Sequence, residues 1–290
     1  MLIANPIYDV VFKYLLDDPE IARELLSTIL GLPITALEVK PQETLVQGGG
    51  GEIKIFHLDF KALVKQADGS SKMVLIELQK AKKSYDIMRF RCYLGENYTR
   101  EEFSKNEKGE TESQVVEIVS IYILGFKLEG VEVPVLKVSR RYEDAITHQE
   151  VRVENEFIRK LTHESFTIQI PRLEHRQRNQ LEEVLEIFSQ DFLTDDLHTL
   201  NYEKSPKNAL VNRILRRLKK AAADEEIRKK MDAEDSMDRI LHRELKTLSE
   251  QLQASEEKLQ ASEEKLQTIE QEKAELQKKL EEALRQLKKE

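Results

Sequence analysis

Two acids and an amide sit where neighbouring residues are apolar. In VLIELQKAKK (74–83), Glu77 and Gln79 interrupt a run that otherwise reads as a buried strand. A carboxylate in such a place is costly unless it has a partner or a task. The preceding run, IKIFHLDFKALVKQ (53–66), carries Asp59 and Lys61, and the ADGSS between the two runs is a hairpin signal. Side chains alternate along a strand, so Glu77 shares a face with Gln79, and Asp59 with Lys61. With a three-residue loop, Asp68–Ser70, residue 67 pairs with 71. Asp59 then lies opposite Gln79, and Glu77 lies opposite Lys61 and diagonal to Asp59. A slip of one residue would put the acids on opposite faces. In this register two carboxylates converge, and binding a divalent cation is the usual relief. Oxygen donors favour Mg²⁺ or Mn²⁺ over zinc, which makes Asp59 and Glu77 the expected metal ligands. A duller account pairs the acids with Lys61 and a neighbouring lysine.

Basic residues follow the acids. Lys80, Lys82 and Lys83 leave the second strand, and Arg89 and Arg91 stand on the next helical segment. They read as a phosphate-gripping flank for DNA or as a solvated strand exit. A second basic run, Arg213, Arg216, Arg217, Lys219 and Lys220, binds DNA or balances the acids at 224–226. The net charge of −8 provides no global attraction to nucleic acid, so any DNA contact must be local. The six histidines show no metal-ligand spacing, and Cys92, the one cysteine, has no histidine near it in sequence. That excludes an internal disulfide, leaves a thiol nucleophile unsupported and suits a reducing, cytoplasmic setting.

The elements that must position these groups read as follows. DPEIARELLSTILGLP (18–33) is a helix capped by Asp18, with Pro19 in its first turn and Gly31 at its end. ITALEV (34–39) is a short strand and GGGG (48–51) a flexible turn. SYDIMRFRCYLGENYTREEF (84–103) spaces its apolar residues as a helix, VVEIVSIYILGF (115–126) is a buried strand, and VPVLKV (133–138) is expected beside it. Residues 176–190 and 207–223 carry helical patterns. Interleaved strands and helices imply an α/β fold, a mixed sheet with helical cover. The opening MLIANPIYDVVFKYLLDDPE breaks its apolar run at Asp9 and Lys13, so no secretion signal is expected, and no run suffices to span a membrane.

Beyond about residue 241 glycine and proline vanish, and LQASEEK occurs twice in succession (252–265). Leu252, Leu259, Leu266, Leu280 and Leu287 fall at one heptad position; Ile269, Leu276 and Ala283 follow three residues later. Leu241, Leu245 and Leu248 extend the seam backwards, while Ser255, Ser262 and Lys273 interrupt it. A helix over 241–287 would be about 70 Å long. A self-associating coiled coil is expected, most simply a dimer, against a solvated single helix held by Glu/Lys pairs.

LDFKALV, a hairpin and VLIELQKA together resemble the D…(D/E)xK signature of the PD-(D/E)XK nuclease superfamily. The closer resemblance is to the branch of recombination-promoting nucleases and transposase-related proteins, in which glutamine replaces the signature lysine. YDVVFKYLL, with Asp9, Phe12 and Lys13, resembles that branch's opening motif, and the arginines and tyrosines at 89–98 resemble its following helix. The resemblance covers roughly residues 1–230. It implies a restriction-endonuclease-like mixed sheet flanked by helices over 1–235, and the coiled coil then occupies 236–290. It also implies that Asp59 and Glu77 hold Mg²⁺ or Mn²⁺, which activates water and steadies charge on a scissile phosphate. Gln79 would hydrogen-bond the attacking water or a phosphate oxygen, and Asp9 would add an acid from the first helix. The expectation is a metal-dependent DNA endonuclease, oligomerised by its tail. The alternative is a nuclease-fold DNA-binding or scaffolding protein that no longer cuts.

Overall fold

The strongest apolar runs of the chain become the middle of a six-stranded mixed sheet. The structure, a computed structural model, describes residues 1–41, 43–47, 53–80, 86–105, 111–173 and 178–287. In chain order the elements begin with β1 (Leu2–Ala4), α1 (Asp9–Leu16), α2 (Pro19–Leu30), β2 (Ile34–Val39), β3 (Glu43–Gln47) and β4 (Ile53–His57). Then come β5 (Phe60–Gln66), β6 (Ser71–Gln79), α3 (Asp86–Tyr98), β7 (Glu102–Lys105), β8 (Thr111–Gln114), β9 (Glu117–Leu124) and β10 (Val135–Val138). The last are α4 (Glu156–Lys160), β11 (Glu164–Gln169), α5 (Gln180–Leu185), β12 (Thr199–Asn201), α6 (Ala209–Ala222) and α7 (Glu225–Leu287).

The main sheet runs β10-β11-β9-β6-β5-β2, with β6, β9 and β11 parallel and the outer pairings antiparallel. Both faces of β6 and β9 are covered, which is why their sequences read as near-continuous apolar runs. On one face Val74, Ile76 and Leu78 join Val119, Ile121 and Ile123 in the large core with residues of α1, α2 and α6. On the other, Met73, Leu75 and Ile118 pack with Phe90, Tyr93 and Leu94 of α3. Asp18 accepts the backbone N–H groups of Glu20 and Ile21 at the start of α2, and Gly31, at φ +66°, ends it. β1 pairs with β12, β3 with β4 and β7 with β8 in small separate sheets.

Several expectations need correction. The run 53–66 is two strands broken at Leu58–Asp59, and the first pairs with β3 outside the main sheet. The helix expected over 84–103 ends at Tyr98, and Glu102–Lys105 is a strand. β10 does not lie beside β9: β11 stands between them, parallel to β9. Of the helix expected over 176–190, the described residues form a short α-helix, Gln180–Leu185, continued by a 3₁₀ turn over Glu186–Phe188. The glycines at 48–51 lie outside the described residues.

The chain divides into two units, Met1–Met231 and Asp232–Glu290. In the first, Ile227 and Met231 at the start of α7 are buried in the core. In the second, Leu248, Leu252, Leu259, Leu266, Ile269 and Leu276 are all exposed. Among the described residues no helix is long and apolar enough to cross a membrane.

Candidate functional site

The acid pair is built by the end of a hairpin. The turn between β5 and β6 has three residues, as expected, but lies one residue earlier, at Ala67–Gly69: the Gln66 N–H donates to the Ser70 carbonyl, Gly69 is at φ +84° and Lys65 pairs with Ser71. The register is therefore two residues away from the one expected, and Lys61 faces Leu75 instead of Glu77. An even shift keeps every side chain on its face. Continuing the pairing beyond Phe60↔Ile76 brings Asp59 level with Glu77 itself. The chain bends at Asp59, and its carboxylate accepts the Leu78 backbone N–H, which an unbroken ladder would have given to Leu58.

The surroundings of the two acids differ. Asp59 is half-buried, and its carboxyl is pushed well above the usual range by desolvation first, then by the charges of Glu77 and Asp9. Glu77 is 4% exposed; it accepts the Gln79 Nε2–H at 2.9 Å and forms an ion pair with Arg89 of α3. Leu75, Phe90, Tyr93 and Tyr122 line the space behind it, a cavity of about 10 Å³, roughly one water. Burial and the Glu77 charge both hold the Tyr93 and Tyr122 hydroxyls in their protonated form to higher pH.

Asp9 opens α1 and pairs with Lys13 at 2.8 Å, close enough for its charge to reach Asp59. Lys80 lies over the Tyr8 ring, 3.3 Å from its centroid, a cation–π contact that holds it at the strand exit. Gly125 fixes that exit: its N–H donates to the Gln79 carbonyl at 2.7 Å, and a Cβ there would stand 2.4 Å from the Lys80 carbonyl oxygen.

Among the described residues the basic flank does not form one face. Arg89 turns to the sheet and Glu77, whereas Arg91, two residues on, is exposed; Lys82 and Lys83 lie outside the described residues. Nor do the 213–220 cations chiefly balance residues 224–226. Arg213 pairs with Glu20 and Glu24, and Arg217 meets Asp18, the Tyr14 carbonyl and the Tyr14 ring. Lys61, buried on the same sheet face as the acids, neighbours Arg100, Glu102, Glu96 and Lys40. The pairing of the acids with Lys61 is therefore replaced by one of Glu77 with Arg89.

What could such a site hold? Among the described residues no group of three or more His, Cys, Asp or Glu side chains is arranged around a metal position. Mg²⁺ ordinarily needs no such cage, since one or two carboxylates, waters and substrate phosphates suffice. The crowding of Asp59 by two like charges is the condition a divalent cation relieves, so the donor chemistry fits. The guanidinium of Arg89 answers part of the same need at Glu77.

Sequence reasoning missed Arg89 as the partner of Glu77, the aromatic wall, Tyr8 and Gly125. The signal for Arg89 was weak: twelve residues separate it from Glu77, and a helix's rotation over a sheet is set by packing.

Fold and site together define an α/β domain with a crowded acid pair at the C-terminal end of a central parallel strand, followed by a long helix. Comparison with family models, with curated proteins and with solved structures gives no match.

Proposed function

We propose that this chain is a metal-dependent DNA endonuclease of restriction-endonuclease-like design, assembled as a dimer by a coiled coil in α7. The observation that carries the reading is the meeting of Asp59, Glu77 and Gln79 on one face at one strand end, with Asp9 adjacent. In this reading Asp59 and Glu77 hold Mg²⁺ or Mn²⁺, which when bound supplies a water of lowered pKa and a counter-charge for the phosphate. The residues themselves do the positioning. The Leu78 N–H fixes the Asp59 carboxylate, and Gln79 orients Glu77 through its amide N–H. Glutamine carries no charge and no basic proton site, so Gln79 contributes hydrogen bonds and leaves proton transfer to water. Lys80 and Arg91 grip the DNA backbone, Arg89 joins them when it leaves Glu77, and Lys82 and Lys83, which follow Lys80 in the sequence, add to the positive charge.

One observation favours the second reading, a nuclease-fold protein that binds DNA without cutting. Glu77 already has a guanidinium partner, so the pair is a neutral structural unit as it stands. The test is relaxation of supercoiled plasmid with Mg²⁺ or Mn²⁺, with and without chelator. Nicking that disappears with chelator and in Asp59→Asn supports the enzyme. Salt-sensitive DNA binding with no nicking in either metal supports the scaffold. Gln79→Lys restores the charge common in the wider superfamily, and activity at or above the parent's supports the alignment of the three residues.

A further inference from the structure

Along one helix, residues three or four apart lie side by side, whereas those one, two or five apart do not. The doubled LQASEEK of α7 uses one such spacing for an amide, Gln253 donating to Glu257, but none for an ion pair. Glu256 and Glu257 precede Lys258 by two and one, Glu263 and Glu264 follow it by five and six, and Lys265 repeats the pattern. No glutamate and lysine of the two repeats are three or four apart. Nearer its start the same helix does use such pairs, Glu225 with Lys229 and Lys246 with Glu250. Over the repeats Leu252 and Leu259 are each 62% exposed, and Leu266 and Ile269 follow at 57% and 58%. The repeat thus has an apolar stripe, and neither Lys258 nor Lys265 has a glutamate three or four residues away.

With Leu252 at heptad position a, Lys258 and Lys265 occupy g, and Glu256, Glu263 and Glu270 occupy e. In a parallel pair of helices in register, each g residue faces the e residue five further along its partner. Lys258 then meets Glu263 of the second copy, and Lys265 meets Glu270. In an antiparallel pair g faces g and e faces e, so lysine meets lysine and glutamate meets glutamate. We infer that α7 pairs in parallel and in register with a second copy of this chain, selected by charge across the repeat. This rests on the dimer of the proposed function and adds its direction. Parallel pairing sets residue 232 of the two copies side by side.

The experiment uses the full chain with Cys92→Ser, without DNA or metal. Ser255→Cys and Ser262→Cys place single thiols at two d positions. Parallel pairing in register predicts that each variant oxidises efficiently to a covalent dimer, and that a mixture yields little disulfide between the two different variants. An antiparallel pair satisfies at most one of these homodisulfides, and a one-heptad slip favours the mixed one; either result overturns the inference while leaving the dimer standing. Sedimentation as a monomer at micromolar concentration overturns both. The charge test is independent. Lys258→Glu with Lys265→Glu turns four interchain attractions into repulsions and should weaken dimerisation about tenfold or more. Adding Glu263→Lys and Glu270→Lys to the same chain should restore it. In an antiparallel pair the first change would merely exchange one repulsion for another, so an unchanged dimer affinity also overturns the proposal.

Discussion

Two buried glutamates sit on adjacent parallel strands, at opposite ends of the sheet. Glu117 opens β9 and is met by Arg159 at 3.2 Å, Arg140 at 3.3 Å and Lys72 at 3.6 Å. Glu77 lies near the end of β6, where Arg89 meets it but the neighbouring Asp59 adds like charge, and Asp59 in turn feels Asp9 more than it feels Lys13. A carboxylate ringed by cations is already satisfied and holds three elements together. A carboxylate crowded by other acids leaves an electrostatic debt, and the cheapest creditor is an exchangeable cation. The difference separates a structural ion cluster from a candidate site without reference to any relative.

The largest expected effect breaks the comparison at its acid end. Asp59→Asn and Glu77→Gln should each lower Mg²⁺-dependent nicking at least about a hundredfold in a plasmid assay. Glu117→Gln should leave the rate within about twofold. It should instead cost stability, about 1–3 kcal/mol by thermal denaturation, below the range for fully buried pairs because Arg159 is 45% exposed. Comparable loss of nicking in all three folded variants would erase the distinction.

A smaller effect tests Arg89 as the stand-in cation. Arg89→Met should raise the affinity for Mn²⁺ about tenfold, measured by calorimetry without DNA. Arg159→Met, which removes a cation from the Glu117 cluster, should leave it unchanged. Equal or weaker Mn²⁺ binding by Arg89→Met would mean that the guanidinium organises Glu77 for the metal and does not compete with it.

Much of this was legible in the sequence, for identifiable reasons. The helix at Pro19–Leu30 was, because Asp18, Pro19 and Gly31 act locally. The strands Ser71–Gln79 and Glu117–Leu124 were, because double-sided burial demands apolar runs. The shared face of Asp59 and Glu77 survived a one-residue error in the position of the loop, because that error moves the register by two and face depends only on parity. Non-local choices were hidden. ESFTIQ (164–169) mixes polar and apolar residues, yet it takes the place beside β9 that VPVLKV was expected to fill. The bend at Leu58–Asp59 and the rotation of α3 that aims Arg89 at Glu77 likewise depend on tertiary packing.

The third prediction turns on the Asp59 proton. Burial and the charges of Glu77 and Asp9 disfavour its carboxylate, so the folded chain keeps this proton to higher pH than the unfolded chain, whose value is near 3.8. Between the two values the folded state binds more protons, and stability falls as pH rises through that window. Asparagine removes the penalty and keeps an oxygen for the Leu78 N–H. Asp59→Asn should therefore melt above the parent at pH 8, with the gain shrinking towards pH 4. A gain that is largest in acid would reverse the assigned sign.

The smallest effect concerns Lys61, the cation that does not reach the acids. It is 3% exposed, and desolvation first, then Arg100, lower its ammonium from 10.5 to about 8. Glu102 and Glu96 oppose that shift without cancelling it. Here the folded state holds the proton less tightly than the unfolded chain. Below pH 8 both states are protonated and the full cost of the buried charge is present; between about 8 and 10.5 the unfolded state binds more protons, so stability rises with pH. Methionine keeps the length and drops the charge, so Lys61→Met should stabilise the fold at pH 7 by on the order of 1–2 kcal/mol. The advantage should fade as pH approaches 10, in thermal melts of the two proteins side by side. If Lys61→Met is destabilising at pH 7, the ammonium is anchoring Glu96 and Glu102. Lys61 would then belong with the satisfied ion clusters typified by Glu117, and the acid end of the sheet would stand alone in carrying uncompensated charge.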